Sequence, residues 1–198
     1  MQAPSGHTTT PPVSALLAGG ALAGQWVLDP GQSSIQLRSR VLGGLIRVTG
    51  VFREVSGNAT VSPDGQVSGT LTVAAASIDT KNTKRDTHLR SADFFDTGNT
   101  PDIIFTATGI RPSGQGAEVT GTPTDVRGTL ADVTGTLTVR DRTQPLSFPA
   151  GAAVQGDGDV WLDAVVPINR TDFGLTWNFL GMVAKDSTLT IHAVFTRR

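Results

Sequence analysis

The sequence predicts an all-β fold of about eight antiparallel strands with one short helix inserted. Short segments rich in Val, Leu, Ile and Thr alternate apolar with polar residues and are separated by Gly and Pro. The alternation stops once, at residues 77–95, where charged residues crowd together. Alternation alone does not distinguish a closed barrel from a two-sheet sandwich, so both architectures stay open at this point.

Composition narrows the class of protein. The 198 residues are 38% hydrophobic and 17% charged, with 23 Gly, which suits strands and turns better than helices. The net charge of −1 gives no indication of a nucleic-acid partner or an anionic surface. The absence of Cys excludes disulfides, thiolate catalysis and zinc–thiolate sites. No apolar run reaches the roughly 20 residues of a transmembrane helix, so no integral membrane segment is predicted.

The first 23 residues read as a leader outside the main domain. Residues 1–12 combine a Thr run with three Pro and predict disorder, and residues 13–23 predict a short apolar docking segment. The end of that segment, at 21–23, resembles a signal-peptidase site, but no Lys or Arg precedes Arg38. We therefore expect a cytoplasmic protein whose single domain spans residues 24–198.

The strands follow in order from residue 24. A first strand at 24–28 ends at Asp29-Pro30, which is a turn signal. Half-buried strands then follow around Ile35 and Leu37, and around Ile46 to Phe52 with a bulge at Gly50. Residues 67–73 and 133–139 have nearly the same sequence, in which Val, Gly, Leu and Val share one face. Long alternating segments at 160–168 and 189–195 close the series.

The charged stretch 77–95 predicts a polar helical cap. Thr80 or Asn82 is placed to cap a short helix, and Asp86 and Arg90 would lie one turn apart in the favourable order for an ion pair. Leu89 is the only large apolar residue of that helix, so the helix does not belong to the core. Phe94-Phe95 would anchor the cap on an apolar surface.

Three interpretations of the cap residues stay open. Arg85, Asp86 and Arg90 form a structural cap if the arginines donate to backbone carbonyls and the carboxylate accepts backbone N–H groups. Alternatively, His88 and nearby arginines contact the polar head of a ligand at a pocket mouth. As a third possibility, His88 or Asp86 acts as an acid–base group, although no substrate or catalytic partner is identifiable.

Residues 169–186 carry many large apolar side chains, including Phe173, Trp177 and Met182, with no period of two. They form either a long loop over the end of the core or a lid over an apolar ligand. The inward positions of the strands are mostly Val, Leu, Ala and Gly. Small inward residues favour a barrel that holds one small ligand over a barrel filled by its own side chains.

The sequence contains no signature of a metal site, a serine hydrolase site or a phosphate-binding loop. The three histidines, His7, His88 and His192, are far apart in the sequence and have no carboxylate–histidine spacing, so no metal site is predicted. No Gly-x-Ser-x-Gly elbow and no glycine-rich phosphate loop occurs. We predict no catalytic residue and no cofactor apart from a possible bound lipid.

The chain resembles the YceI-like family. The resemblance is carried by Ser-Ile-Asp-Thr at 77–80, Arg-Asp-Thr-His-Leu-Arg at 85–90, Asp-Phe-Phe at 93–95 and Pro-Asp-Ile-Ile-Phe at 101–105. Further motifs match at 26–30, 135–145 and 170–174, so the resemblance spans residues 24–197. It implies a lipocalin-like antiparallel β-barrel with a long apolar pocket that binds a polyisoprenoid or a similar lipid, and it implies no established catalysis.

The resemblance also implies a set of site residues. Ligand contacts are predicted for Leu37, Phe52, Leu71, His88, Phe94, Phe105, Phe173, Trp177 and Met182, with His88 near one opening. The chain departs from many relatives in having Val41 and Gln32 where they have histidines, so its ligand would have a different polar head or none.

We therefore expect a protein that sequesters or carries a long-chain apolar lipid, such as a polyisoprenoid or an isoprenoid quinone. One alternative is an enzyme that acts on such a lipid. The other is a structural or interaction module without a ligand. A homodimer is possible, and the expected partner is a small lipid molecule.

Overall fold

The computed structural model describes residues 13–113, 129–155, 158–178 and 181–198. The leader predicted to be disordered, residues 1–12, lies outside the described residues. Two helices are described, α1 (Val13–Ala18) and α2 (Thr83–Arg90), and 3₁₀ turns lie at Ala75–Ser77 and Arg170–Phe173. The described strands are β1 (Gly24–Leu28), β2 (Ser34–Val41), β3 (Ile46–Phe52), β4 (Val55–Val61), β5 (Val67–Ala74), β6 (Ile78–Asp79), β7 (Asp102–Pro112), β8 (Thr129–Val139), β9 (Arg142–Gln155), β10 (Asp159–Asn169) and β11 (Val183–Arg197).

The strands form one antiparallel sheet that closes into a barrel of eight wall positions. β1 and β2 lie one after the other along β11, with Leu28 opposite Phe195 and Ile35 opposite Ile191. β3 and β4 form the next position and β5 and β6 the third, and β7 to β11 complete the circle. The predicted antiparallel lipocalin-like barrel is confirmed, and closure removes the exposed edges of an open sheet.

The break between β1 and β2 has a local cause. The Asp29 carboxylate accepts hydrogen bonds from the backbone N–H of Gly31 at 2.8 Å and from the Gln32 side chain at 2.7 Å. Pro30 has no N–H to donate to a ladder. The chain therefore turns at 29–33 and re-enters the sheet beside the same strand.

The two nearly identical segments occupy equivalent positions. β5 and β8 flank β7, and their glycines, Gly69 and Gly135, both lie opposite Ala107. A Cβ atom on Gly135 would lie 2.8 Å from the ring of Phe105, which crosses above it. The shared sequence thus places a glycine, which has no side chain, on the inner wall on both sides of β7.

A helix covers each end of the barrel. At one end Val13 and Leu17 of α1 pack against Trp26, Val61 and Val67. At the other end α2 follows β6 and is the one short inserted helix that the sequence predicts. The structure thus consists of a tube of strands with two small covers.

Candidate functional site

A cavity of about 620 Å³ lies inside the barrel. Its lining is almost entirely apolar and comes from the inward faces of the strands and from the two end covers. Its volume falls within the roughly 300–1,000 Å³ typical of small-molecule sites in proteins. Cavities lined by apolar side chains tend to stay dry, so an apolar ligand would not have to displace tightly held water.

Several side chains on the inner wall are not fully buried. Leu37, Leu71 and Phe105 point inward from strands paired on both sides, yet each is only partly buried beside the core cluster. Since neighbouring strands cover their backbones, their exposed surface faces the interior of the barrel. Close packing in ordinary cores leaves few such gaps, so the barrel is underfilled by its own side chains.

The structure brings most of the predicted ligand contacts together. The residues of that set that line the cavity are Leu37, Phe52, Leu71, His88, Phe94, Phe105, Phe173 and Trp177. Met182 is half-buried at the rim, is not one of the lining residues, and accepts a hydrogen bond from Leu42 N–H at 2.7 Å through its carbonyl. Ligand contact by these residues stays a prediction.

The end covered by α1 is apolar. Val13, Leu17 and Leu22 line the cavity there together with Trp26. The Trp26 indole N–H donates to the Leu22 carbonyl at 2.9 Å, which holds the segment after α1 in place. Arg197 donates to the Ala21 carbonyl at 2.7 Å and lies over the Trp26 ring. The sequence indicated a docking segment here but not its place in the cavity wall.

The opposite end is built on α2. Asn82 caps the helix by accepting from Arg85 N–H at 3.0 Å. The buried Asp86 carboxylate accepts from the backbone N–H of Thr80 at 3.0 Å and from its hydroxyl at 2.5 Å. Arg85 donates to the same hydroxyl at 2.7 Å and to the Thr80 carbonyl at 2.8 Å. These contacts bind the helix to the strand that precedes it.

Arg90 extends the same arrangement. Its guanidinium donates to the Ala76 carbonyl at 2.7 Å and to the Ile78 carbonyl at 2.8 Å. The prediction of an ion pair between Asp86 and Arg90 is therefore wrong, because each side chain forms hydrogen bonds with backbone groups outside the helix. Arg90 and Asp86 both hold α2 on the barrel, as a structural cap requires.

Three aromatic rings frame the mouth beside α2. The His88 ring lies 4.4 Å from the Trp177 ring and 5.1 Å from the Phe94 ring, both edge to face. His88 Nε2 lies 3.1 Å from a carboxylate oxygen of Asp93. His88 therefore faces the cavity with its ring while one nitrogen is held by the cap.

A buried arginine fixes the segment that carries Trp177. Arg170 donates to the carbonyls of Ala184 at 2.9 Å, Trp177 at 3.0 Å and Val183 at 3.2 Å, and also to that of Leu175. Burial lowers the pKa of the Arg170 guanidinium from its usual value. Phe179 and Leu180 lie outside the described residues. The site prediction missed Arg170, although its motif with Asp172, Phe173 and Gly174 was visible in the sequence.

The inner wall also carries hydroxyl groups near the α2 end. Ser39 and Ser187 face each other across β2 and β11, and both line the cavity. The Ser39 hydroxyl is buried and has no hydrogen-bond partner among the described residues. Buried polar groups in proteins are generally paired, so this unpaired hydroxyl beside the cavity is an exception. The sequence could not reveal this because both serines read as ordinary strand residues.

The closed antiparallel barrel, its internal apolar cavity and its inserted helical cap define the class: a lipocalin-like β-barrel with room for one ligand. The YceI-like domain model matches residues 26–195. The chain therefore belongs to the YceI-like family, and the resemblance found in the sequence is confirmed.

One known protein has a similar sequence, and two solved structures have a similar fold. Protein YceI of Escherichia coli O6:H1 is 32% identical over 184 residues, which cover 88% of this chain and 87% of the relative. The crystal structure of Burkholderia cenocepacia BcnA aligns with a TM-score of 0.72 at 23% identity, covering 85% of this chain and 99% of BcnA. A polyisoprenoid binding domain from Saccharophagus degradans, implicated in plant cell wall breakdown, aligns with a TM-score of 0.68 at 16% identity over 87% of this chain and 98% of that domain.

Within the described residues, neither helix is long and apolar enough to cross a membrane.

Proposed function

We propose that this protein binds and carries one long apolar lipid chain, such as a polyisoprenoid or an isoprenoid quinone, inside its barrel. The observation that supports this most directly is the cavity of about 620 Å³ with an apolar wall and a cover at each end. A filled core would stabilise the fold better, so an open apolar interior is best explained by a ligand that completes it. The structural neighbour from Saccharophagus degradans, described as a polyisoprenoid binding domain, supports the same class of ligand.

The energetics suit a hydrocarbon chain. Each methylene group removed from water contributes about 0.8 kcal/mol, so a chain of some fifteen carbons needs few polar contacts. The cost of ordering the flexible chain offsets part of this gain. The wall supplies contact area along its whole length and leaves specificity to a small number of polar groups at one end.

The polar side chains indicate how the ligand lies. Ser39, Lys84, Arg85 and His88 line the cavity near the α2 end, whereas Val13, Leu17 and Leu22 line the α1 end. Since a polar head costs free energy when it is buried without partners, it should lie toward α2 and leave the tail toward α1.

Native mass spectrometry of protein purified without detergent tests the proposal. A carrier gives an adduct in the mass range of a long lipid, and solvent extraction followed by mass analysis identifies it. Leu71→Trp fills the cavity from the inner wall and should abolish the adduct. Thr106→Trp adds the same side chain on the outer face of β7 and should leave it intact. Protein that never shows an adduct, even after incubation with polyprenols and quinones, would be a module without a ligand.

An enzyme acting on the same lipid is the second candidate, because His88 lines the cavity and lies 3.1 Å from Asp93. Asp86 is a poor acid–base group since its carboxylate is committed to Thr80. His88→Ala separates the two functions: a carrier retains its lipid, and an enzyme accumulates unconverted lipid in place of product.

A further inference from the structure

The hairpin between β2 and β3 carries an exposed apolar tip. Leu45 is 88% exposed, Ile46 48% and Leu42 42%. The other large apolar residue exposed in the described parts of the chain is Val27, at 37%, on β1. Apolar side chains scattered singly on a surface need no explanation, but a cluster at the end of one projecting turn indicates an interaction site.

The turn holds these side chains out by its backbone. Leu42, Gly43 and Gly44 all have positive φ, at 54°, 65° and 94°. A leucine in this left-handed region is uncommon and costs free energy that an Asn or Gly would avoid. The Leu42 N–H also donates to the Met182 carbonyl, which fixes the tip beside the segment that carries Trp177.

Arginines surround the tip without acidic partners. Arg40 and Arg47 lie directly opposite each other on the outer face of β2 and β3, with Arg38 on the diagonal. Like charges in that position destabilise a sheet. In the described parts of the chain none of these three forms a salt bridge, and on the neighbouring β11 the acidic Asp186 is accompanied by Lys185. The hairpin is therefore strongly basic although the whole chain has a net charge of −1.

We propose that this hairpin docks the barrel on an anionic phospholipid bilayer. Leucine and isoleucine side chains at the tip would enter the boundary between head groups and acyl chains, and the arginines one row behind would meet the phosphates. The arginines favour an anionic bilayer over a second copy of this chain as the partner. Two copies docked tip to tip would bring the arginines of one copy against those of the other. The surface is independent of any cargo, yet docking would bring the mouth beside α2 close to the lipid.

Flotation of the full chain with vesicles tests the proposal. Vesicles of 70% phosphatidylcholine and 30% phosphatidylglycerol should bind the protein, and vesicles of phosphatidylcholine alone should bind it far less. Leu45→Ser should lower the partition coefficient about tenfold or more, because one leucine no longer enters the bilayer. Val27→Ser removes an exposed apolar residue elsewhere and should change nothing.

The charge requirement has its own pair of variants. Arg40→Gln with Arg47→Gln should lower the partition coefficient roughly 30-fold, while Arg111→Gln on β7 should leave it unchanged. Circular dichroism melts of each variant establish that the barrel stays folded.

Three results would overturn the proposal. They are absence of binding to the anionic vesicles, equal binding to neutral ones, and a dimer in sedimentation that Leu45→Ser dissociates. Native mass spectrometry of Leu45→Ser measures the cargo separately: retained lipid together with lost vesicle binding supports docking alone. A failure of docking would leave the carrier function standing.

Discussion

Gly135 shows how closely the inner wall is fitted at the level of one residue. A Cβ atom at this position would lie 2.8 Å from the Phe105 ring and would also press on the Thr106 carbonyl. Gly135→Ala should therefore lower the free energy of unfolding by about 1–3 kcal/mol, because the backbone cannot move aside. Gly98→Ala is the matched control, since no atom lies within 4 Å of its added Cβ. Urea denaturation of both variants measures the difference, and equal midpoints would contradict the fit described here.

Asp79 ties the entry of the cap through charge to Arg53, the residue that follows β3. Its carboxylate accepts from the backbone N–H of Lys81 at 2.8 Å, from the Lys81 ammonium at 2.9 Å and from Arg53 at 2.9 Å. These contacts hold the pKa of Asp79 well below its ordinary value near 3.8. The stabilisation is therefore complete above the unfolded pKa and is lost as the pH falls through the lowered folded pKa.

Asp79→Asn should accordingly be less stable than the wild type at pH 7. The gap between their urea midpoints should narrow from about pH 4 downward, because protonation then removes the same charge from the wild-type protein. Midpoints measured from pH 7 to pH 2 test this expectation. A gap of constant size would show that the neutral carboxyl group stabilises the turn equally well.

At the level of the elements, the sequence predicted those features that depend on residues close together in the chain. Alternation located the strands, Asp29-Pro30 located a turn, and Asn82 was one of two proposed caps for α2. The sequence did not reveal the place of α1 in the cavity wall, the carbonyls around Arg170, or Arg40 opposite Arg47. Each of these depends on which strand lies beside which and in what register, and a single sequence contains no direct record of that pairing.

Substitution of Arg170 tests how the segment that follows β10 is held in place. It donates to four backbone carbonyls between Leu175 and Ala184, so Arg170→Gln leaves several of them without a partner. We expect a loss of about 2–4 kcal/mol in the free energy of unfolding, since hydrogen bonds from a charged donor contribute about 1.5–3 kcal/mol each. Limited proteolysis should also cut this variant between residues 174 and 183.

The exposed Arg111→Gln is the control for that experiment and should show neither effect. An unchanged proteolysis pattern in Arg170→Gln would mean that Phe173 and Leu175, both buried, hold the segment without the arginine.

At the scale of the whole molecule, closure of the barrel stabilises the fold, whereas its unfilled interior lowers the stability. Closure pairs the first strand of the wall with the last, and the two covers bury the apolar ends of the tube. The unfilled interior forgoes the dispersion contacts that a packed core would make. A ligand that supplies those contacts should therefore stabilise the whole barrel together, and not one strand alone.

The consequence is a stability that depends on cargo. A ligand present at 100 times its Kd stabilises a protein by about 2.7 kcal/mol, so solvent-extracted protein should melt roughly 5–10 °C below the loaded form. Adding back the extracted lipid should restore the melting temperature of the wild type. Leu71→Trp occupies part of the cavity with its own side chain, so extraction and addition should both leave its melting temperature unchanged. If wild-type protein melts at one temperature whatever its lipid content, the barrel does not need a ligand to complete its interior.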